Sequence, residues 1–165
     1  MRASSLLLFA LFACGSQSTP TEPDEAAAAP SAQTPYELLL EVGSFDALPD
    51  RMELADGLVV ELLERGRGPL CEPGDDVEAH LRVLLASTGG VVDTTQGKPP
   101  FRLTLDGRTT YIQGLHRAIP GLRVGTTARV QVPAELAYGE RGSPASGIAP
   151  NEPLVLELQI VGVRG

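Results

Sequence analysis

The chain has 165 residues, enough for one ordinary domain with extensions and a core that needs no disulfide staples. Its formal net charge of −8 argues against nucleic acid as a partner, which would require a basic stripe. Tryptophan is absent and only 4% of residues are aromatic, so a core must be built from Leu, Val, Ile and Ala.

Residues 1–13 carry one positive charge, Arg2, followed by a short apolar run, the layout of a secretory signal peptide. The run is too short to cross a bilayer as a helix, which takes ~20 apolar residues. Cys14 follows directly on Leu11-Phe12-Ala13. This resembles the lipobox of bacterial lipoproteins, in which the cysteine thiol is acylated and becomes the mature N-terminus. An ordinary signal peptide followed by an unrelated cysteine is the other reading. The resemblance implies lipidation at Cys14 and a membrane anchor. With Gly15 and not Asp after the cysteine, a periplasm-facing outer membrane is expected where two membranes exist. Cys71 is the only other cysteine, so a Cys14–Cys71 disulfide is the alternative, whereas lipidation leaves Cys71 a lone buried apolar thiol. Residues 14–35 are then the lipidated cysteine and its tether. Between 15 and 34 there is no large apolar side chain to offset the entropy of ordering, which predicts disorder and a reach of ~25 Å.

Residues 36–56 form a short lead-in. Its Tyr36-Glu37-Leu38-Leu39-Leu40-Glu41 run fits the start of either a helix or a strand. The main domain is expected over 57–165. Leu58 to Leu63 is a strand candidate closed by Gly66 and Gly68-Pro69. Val77, Ala79, Leu81, Val83 and Leu85 alternate with Glu78, His80, Arg82 and Leu84, which predicts a half-buried strand. Ser87-Thr88-Gly89-Gly90 reads as a hairpin turn, and Val91-Val92 begins the return. Alternation recurs at Phe101-Leu103-Leu105, at Ala128-Val130-Val132, and at Leu154-Leu156-Leu158-Ile160. One segment departs from the period of two: Ile112, Leu115, Ala118, Ile119 and Leu122 fall at helical spacing, closed by Pro120-Gly121. The reading is an α+β domain of five to six antiparallel strands and one short helix, the helix stripe meeting the sheet face.

Much chemistry has no apparatus here. The two histidines, His80 and His116, fall on polar faces and are expected to be solvated. No cysteine cluster suits zinc. The glycine pairs sit in turns and open no helix that could cradle phosphate. No nucleophile elbow is present. No metal and no cofactor is called for.

Residues 125–163 include Val132-Pro133-Ala134-Glu135-Leu136-Ala137-Tyr138-Gly139 and end in the Leu154–Val163 run. Ahead of them stand Pro73-Gly74-Asp75-Asp76-Val77, Val92-Asp93-Thr94-Thr95, Pro100-Phe101-Arg102-Leu103 and Ile112-Gln113-Gly114-Leu115. Over about residues 57–163 this pattern resembles the FKBP-type peptidyl-prolyl cis–trans isomerases. The resemblance implies a strongly twisted antiparallel sheet wrapped around one short α-helix, and isomerisation of Xaa-Pro bonds. By position it implies that Phe101 lines the proline pocket, that the Ile112 N–H and the Tyr138 hydroxyl bind substrate carbonyls, and that Asp93 orients neighbouring polar groups. Leu81, Val92, Tyr111, Leu115, Ile148 and Leu156 complete the implied substrate-binding set, with the 139–149 loop as its lip. Read without the resemblance, Phe101 and Ile112 fit plain core roles and Asp93 a strand-end turn.

The chain departs from the family at four walls. Leu81, Val92, Leu115 and Leu156 stand where the family usually has Tyr, Phe, Trp and Phe, and Ser143 and Ala149 also replace family-typical residues. A wider pocket is expected, with its hold on a proline ring weakened by about 1–2 kcal/mol per wall at ~25 cal/mol per Å². Two functions follow: an envelope isomerase assisting the folding of exported proteins, with unfolded or partly folded Xaa-Pro segments as partners, or a non-catalytic peptide-binding or chaperone module. The lead-in is too short for a long dimerisation arm, so a monomer is expected.

Overall fold

The computed structural model describes residues 32–108 and 111–165, so the expected signal, lipidated Cys14 and most of the tether lie outside the described residues. Strands β1 (Arg51–Glu53), β2 (Val59–Glu64), β3 (Asp76–Leu85), β4 (Val91–Thr94), β5 (Phe101–Thr104), β6 (Thr127–Val132) and β7 (Leu154–Arg164) form one antiparallel sheet. Its order is β1-β2-β6-β7-β3-β4, with β5 also paired to β3. The expected fold class holds. The strand beyond the expected five or six is β1, whose three residues are too few to show alternation in the sequence.

Alternation decides which face is buried. On β7, Leu154, Leu156, Leu158 and Ile160 are buried, and Val155, Glu157 and Gln159 turn outward. Directly opposed residues share a face, so the register defines rows across the sheet. One inner row runs Met52, Val60, Val130, Leu156, Val83 and ends at Asp93 on the edge strand. The neighbouring outer row runs Arg51, Glu61, Arg129, Glu157, Arg82, an alternation of charge across five strands. Glu157 is held from both sides, at 3.2 Å by Arg129 and 3.1 Å by Arg82.

Helix α2 (Gln113–Ala118) lies across the inner face. Leu115, Ala118, Ile119 and Leu122 are buried in the core cluster. Gly114 lets the helix come this close: a Cβ there would meet Val132 Cγ1 at 2.4 Å.

The lead-in is ordered. Helix α1 (Pro35–Val42) settles the open choice at residues 36–41. The Thr34 hydroxyl accepts the Glu37 N–H at 3.2 Å, Pro35 occupies the first turn, and Gly43 closes the helix at φ 79. Its start rests on Gly121 (φ 89), where a Cβ would meet the Tyr36 nitrogen at 2.3 Å. Beyond α1, Phe45, Leu48, Met52 and Leu54 are all buried. Arg65 fastens this stretch, donating to the Phe45 carbonyl at 2.9 Å and the Leu48 carbonyl at 2.5 Å. Arg65 and Arg123 also lie 5.7 and 5.6 Å from the centre of the Phe45 ring.

Two side-chain expectations change. His80 is half-buried, with Nδ1 3.3 Å from the Thr95 hydroxyl. His116 is also half-buried, and burial lowers its pKa although Asp106 opposes this. Polar-face spacing identified their side of the element but not the degree of burial. Cys71 is fully buried, and desolvation together with Asp75 pushes its thiol up to about 12.

Candidate active site

The residues implied as the site lie on β4, on β5, at the start of α2 and in the 138–148 loop, and Phe101 and Tyr111 are brought into ring contact. Strand β4 carries Asp93 opposite Val83, whereas Leu84 pairs with Val91, so Val92 is the extra residue of a bulge. Val92 packs against the core edge, between the exposed Val91 and Asp93. Asp93 is exposed at the end of the inner row, and its Oδ1 accepts the Thr94 N–H at 2.7 Å. The family resemblance implies polar neighbours for Asp93 to orient. Leu81 on β3 carries no hydroxyl for it to orient.

Phe101 on β5 sits opposite Ala79 and is half-buried against the core. Tyr111 packs on it with ring centroids 5.3 Å apart and planes tilted by 54°. Ile112 is extended (φ −63, ψ 146) and caps α2, its carbonyl accepting the Leu115 N–H at 3.1 Å. No other described residue accepts its own N–H, which is one of the donors a helix start leaves open. Tyr138 is 42% exposed, and its carbonyl accepts the Gly142 N–H at 3.2 Å. Ile148 is buried, and paired 2.9 Å bonds with Ser143 close the loop around it.

Thus Asp93, Tyr111 and Tyr138 are exposed, Val92, Phe101 and Ile112 half-buried, and Leu81, Leu115, Ile148 and Leu156 buried. Leu115 is 2% and Leu156 0% exposed, so both back the site from within the core. At these two positions the side chains face the core and present no open surface.

Thr95 was missed by sequence reasoning. Its hydroxyl accepts the Leu81 N–H at 2.8 Å and lies 3.3 Å from the Leu81 carbonyl, tying the end of β4 to β3 beside the site. The hydroxyl pair Thr94-Thr95 after Asp93 was the available signal. A separate groove of about 660 Å³ opens on the outer sheet face, lined in part by His80, Arg82, Glu157 and Gln159. Arg82 and Glu157 pair with each other there, and of the implied site residues only Leu81 borders it. Among the described residues no group of three or more His, Cys, Asp or Glu side chains could hold a metal ion.

A family model described as FKBP-type peptidyl-prolyl cis-trans isomerase matches residues 68–161. The chain belongs to the FKBP family. This FKBP domain is 34% identical over 111 residues to the peptidyl-prolyl cis-trans isomerase FKBP15-3 of Arabidopsis thaliana, covering 66% of this chain and 76% of that protein. It is 32% identical over 107 residues to an FK506-binding protein of Streptomyces anulatus, covering 64% and 86%. Longer relatives exist: the chain spans 29% of FK506-binding protein 4 of Mycosarcoma maydis. Among solved structures, a peptidyl-prolyl cis-trans isomerase from Pseudomonas syringae pv. tomato aligns at a TM-score of 0.61 and 27% identity, over 79% of this chain and 94% of that one.

Proposed function

We propose that this FKBP domain catalyses cis–trans isomerisation of Xaa-Pro bonds, at a reduced rate, on exported proteins at the cell envelope. The observation that carries the reading is the Phe101–Tyr111 ring contact, which sets half-buried Phe101 next to the segment that carries the open Ile112 N–H. Rotation about the peptide bond opposes ~18–20 kcal/mol of resonance, but no covalent bond breaks, so no nucleophile, metal or cofactor is required. The twisted amide is less dipolar than either planar form. An apolar wall therefore favours it relative to water, provided the flanking carbonyls stay hydrogen-bonded. Phe101 supplies the wall for the proline ring, and Ile112 N–H and Tyr138 Oη supply donors. The rate is reduced because Leu81, Val92, Leu115 and Leu156 replace rings, and two of them are sealed in the core.

The same replacements favour a second reading, a peptide-binding module without catalysis, and the Asp93 carboxylate bonded to its own neighbour points the same way. The test is a protein whose slow refolding phase is limited by prolyl isomerisation. Acceleration of that phase in proportion to enzyme supports catalysis. Suppressed aggregation with an unchanged slow phase supports the binding module.

Export and anchoring rest on the 1–13 signal pattern and Leu11-Phe12-Ala13-Cys14. Cleavage precedes Cys14, acylation follows there, and the domain, with the lead-in packed into its core, stands off the membrane as a monomer on its tether. The Cys14→Ala variant is expected to move from the membrane to the soluble fraction. A mature N-terminus elsewhere, unmodified by mass spectrometry, contradicts this assignment.

A further inference from the structure

We propose that Tyr111 reads the residue that follows proline and selects an aromatic side chain there; this rests on the isomerase reading of the same site. The chain is poor in rings, and the four family walls are aliphatic. Among the described residues, Phe101 and Tyr111 form the only ring pair, at 5.3 Å. Tyr111 uses one side of its ring against Phe101 and remains 41% exposed, so it offers apolar ring surface to a ligand seated on Phe101.

Direction comes from the backbone. Isomerisation turns the acyl group before proline relative to the prolyl ring. If the ring is seated on Phe101, the carbonyl that stays fixed with it is proline's own, joined to the ring through its Cα. A fixed donor suits a fixed acceptor. The Ile112 N–H is such a donor, since Ile112 caps α2 and the buried Leu115 anchors that helix. Tyr111 is the residue directly before Ile112, beside that carbonyl and hence beside the residue that proline's carbonyl joins. An aromatic side chain there meets the Tyr111 ring at the offset or tilted distances aromatic pairs prefer.

The experiment compares Ala-Leu-Pro-Phe, Ala-Leu-Pro-Ala and Ala-Leu-Pro-Glu by NMR exchange, with wild type, Tyr111→Ala, Tyr111→Leu and Tyr111→Phe. Wild type is expected to turn over the Phe peptide with kcat/KM roughly three- to ten-fold above the Ala peptide, the range that one aromatic pair supplies. Tyr111→Ala and Tyr111→Leu erase that ratio, and Tyr111→Phe keeps it. Discrimination absent from wild type, or intact in both ring-less variants, overturns the proposal. Should wild type accelerate none of the three peptides, the isomerase reading fails separately. The same ratios are then taken from dissociation constants in titrations of the same proteins and judged by the same criteria.

Discussion

Leu115 shows how a single side chain reshapes this site. It stands where the family resemblance implies a tryptophan, yet it is 2% exposed and packed between α2 and the sheet. Restoring the indole adds volume to a closed core, and overpacking of this kind costs about 1–3 kcal/mol. Leu115→Trp is therefore expected to lower the denaturation midpoint without increasing the affinity for proline ligands. An unchanged midpoint with tighter binding would show that the core has room behind Phe101. At this scale, residue type and position were legible for Asp93, Phe101, Ile112 and Tyr138, because the motifs fix them by spacing. Exposure was legible for Leu156, which alternation turns inward, but not for Tyr138, which lies in a loop without a period.

Among the elements, alternation was the most informative signal, and β7 tests it. Leu158 lies on an inner row with Leu81, Ala128 and Leu62, whereas Gln159 lies on the outer face. Leu158→Ala is expected to cost about 2–5 kcal/mol, and Gln159→Ala to stay within about 0.5 kcal/mol. Equal denaturant midpoints would contradict the register. Helix α1 was legible in principle, since Thr34-Pro35-Tyr36-Glu37 has the hydroxyl-to-glutamate spacing of a capped helix start. The rest of the lead-in was not. Phe45, Leu48, Met52 and Leu54 are buried from short 3-10 turns and a three-residue strand, which share no single period. Their fastening to Arg65 spans 15–20 residues of sequence and leaves no local mark.

For the whole molecule, titration of two groups predicts sensitivity to acid. Burial holds His116 below its ordinary value of 6.5, and the Arg129 and Arg82 guanidiniums hold Glu157 below 4.5. Both groups take up protons more readily in the unfolded chain, so their contributions are complete above those values and fall away as pH drops below them. Stability is expected to decline in two stages, first below about pH 6.5 through His116 and then below about pH 4.5 through Glu157. Glu157→Gln should flatten the second stage in pH-dependent denaturation and leave the first. A profile with no difference between Glu157→Gln and wild type below pH 4.5 contradicts the assignment. The twisted sheet over one inner helix was legible as a whole because period-two and helical patterns are separable along the chain, and β1 and α1 are additions at its margin. The decisive question for the molecule is whether a ring-poor FKBP domain still turns a prolyl bond through Phe101, the Ile112 N–H and Tyr138. It is answered by the isomerisation rate of one Xaa-Pro peptide with wild type, Tyr138→Phe and Phe101→Ala, each verified as folded by circular dichroism. Wild type is expected above the uncatalysed rate, Tyr138→Phe modestly lower and Phe101→Ala lowest. Three folded proteins all matching the uncatalysed rate would contradict the isomerase reading.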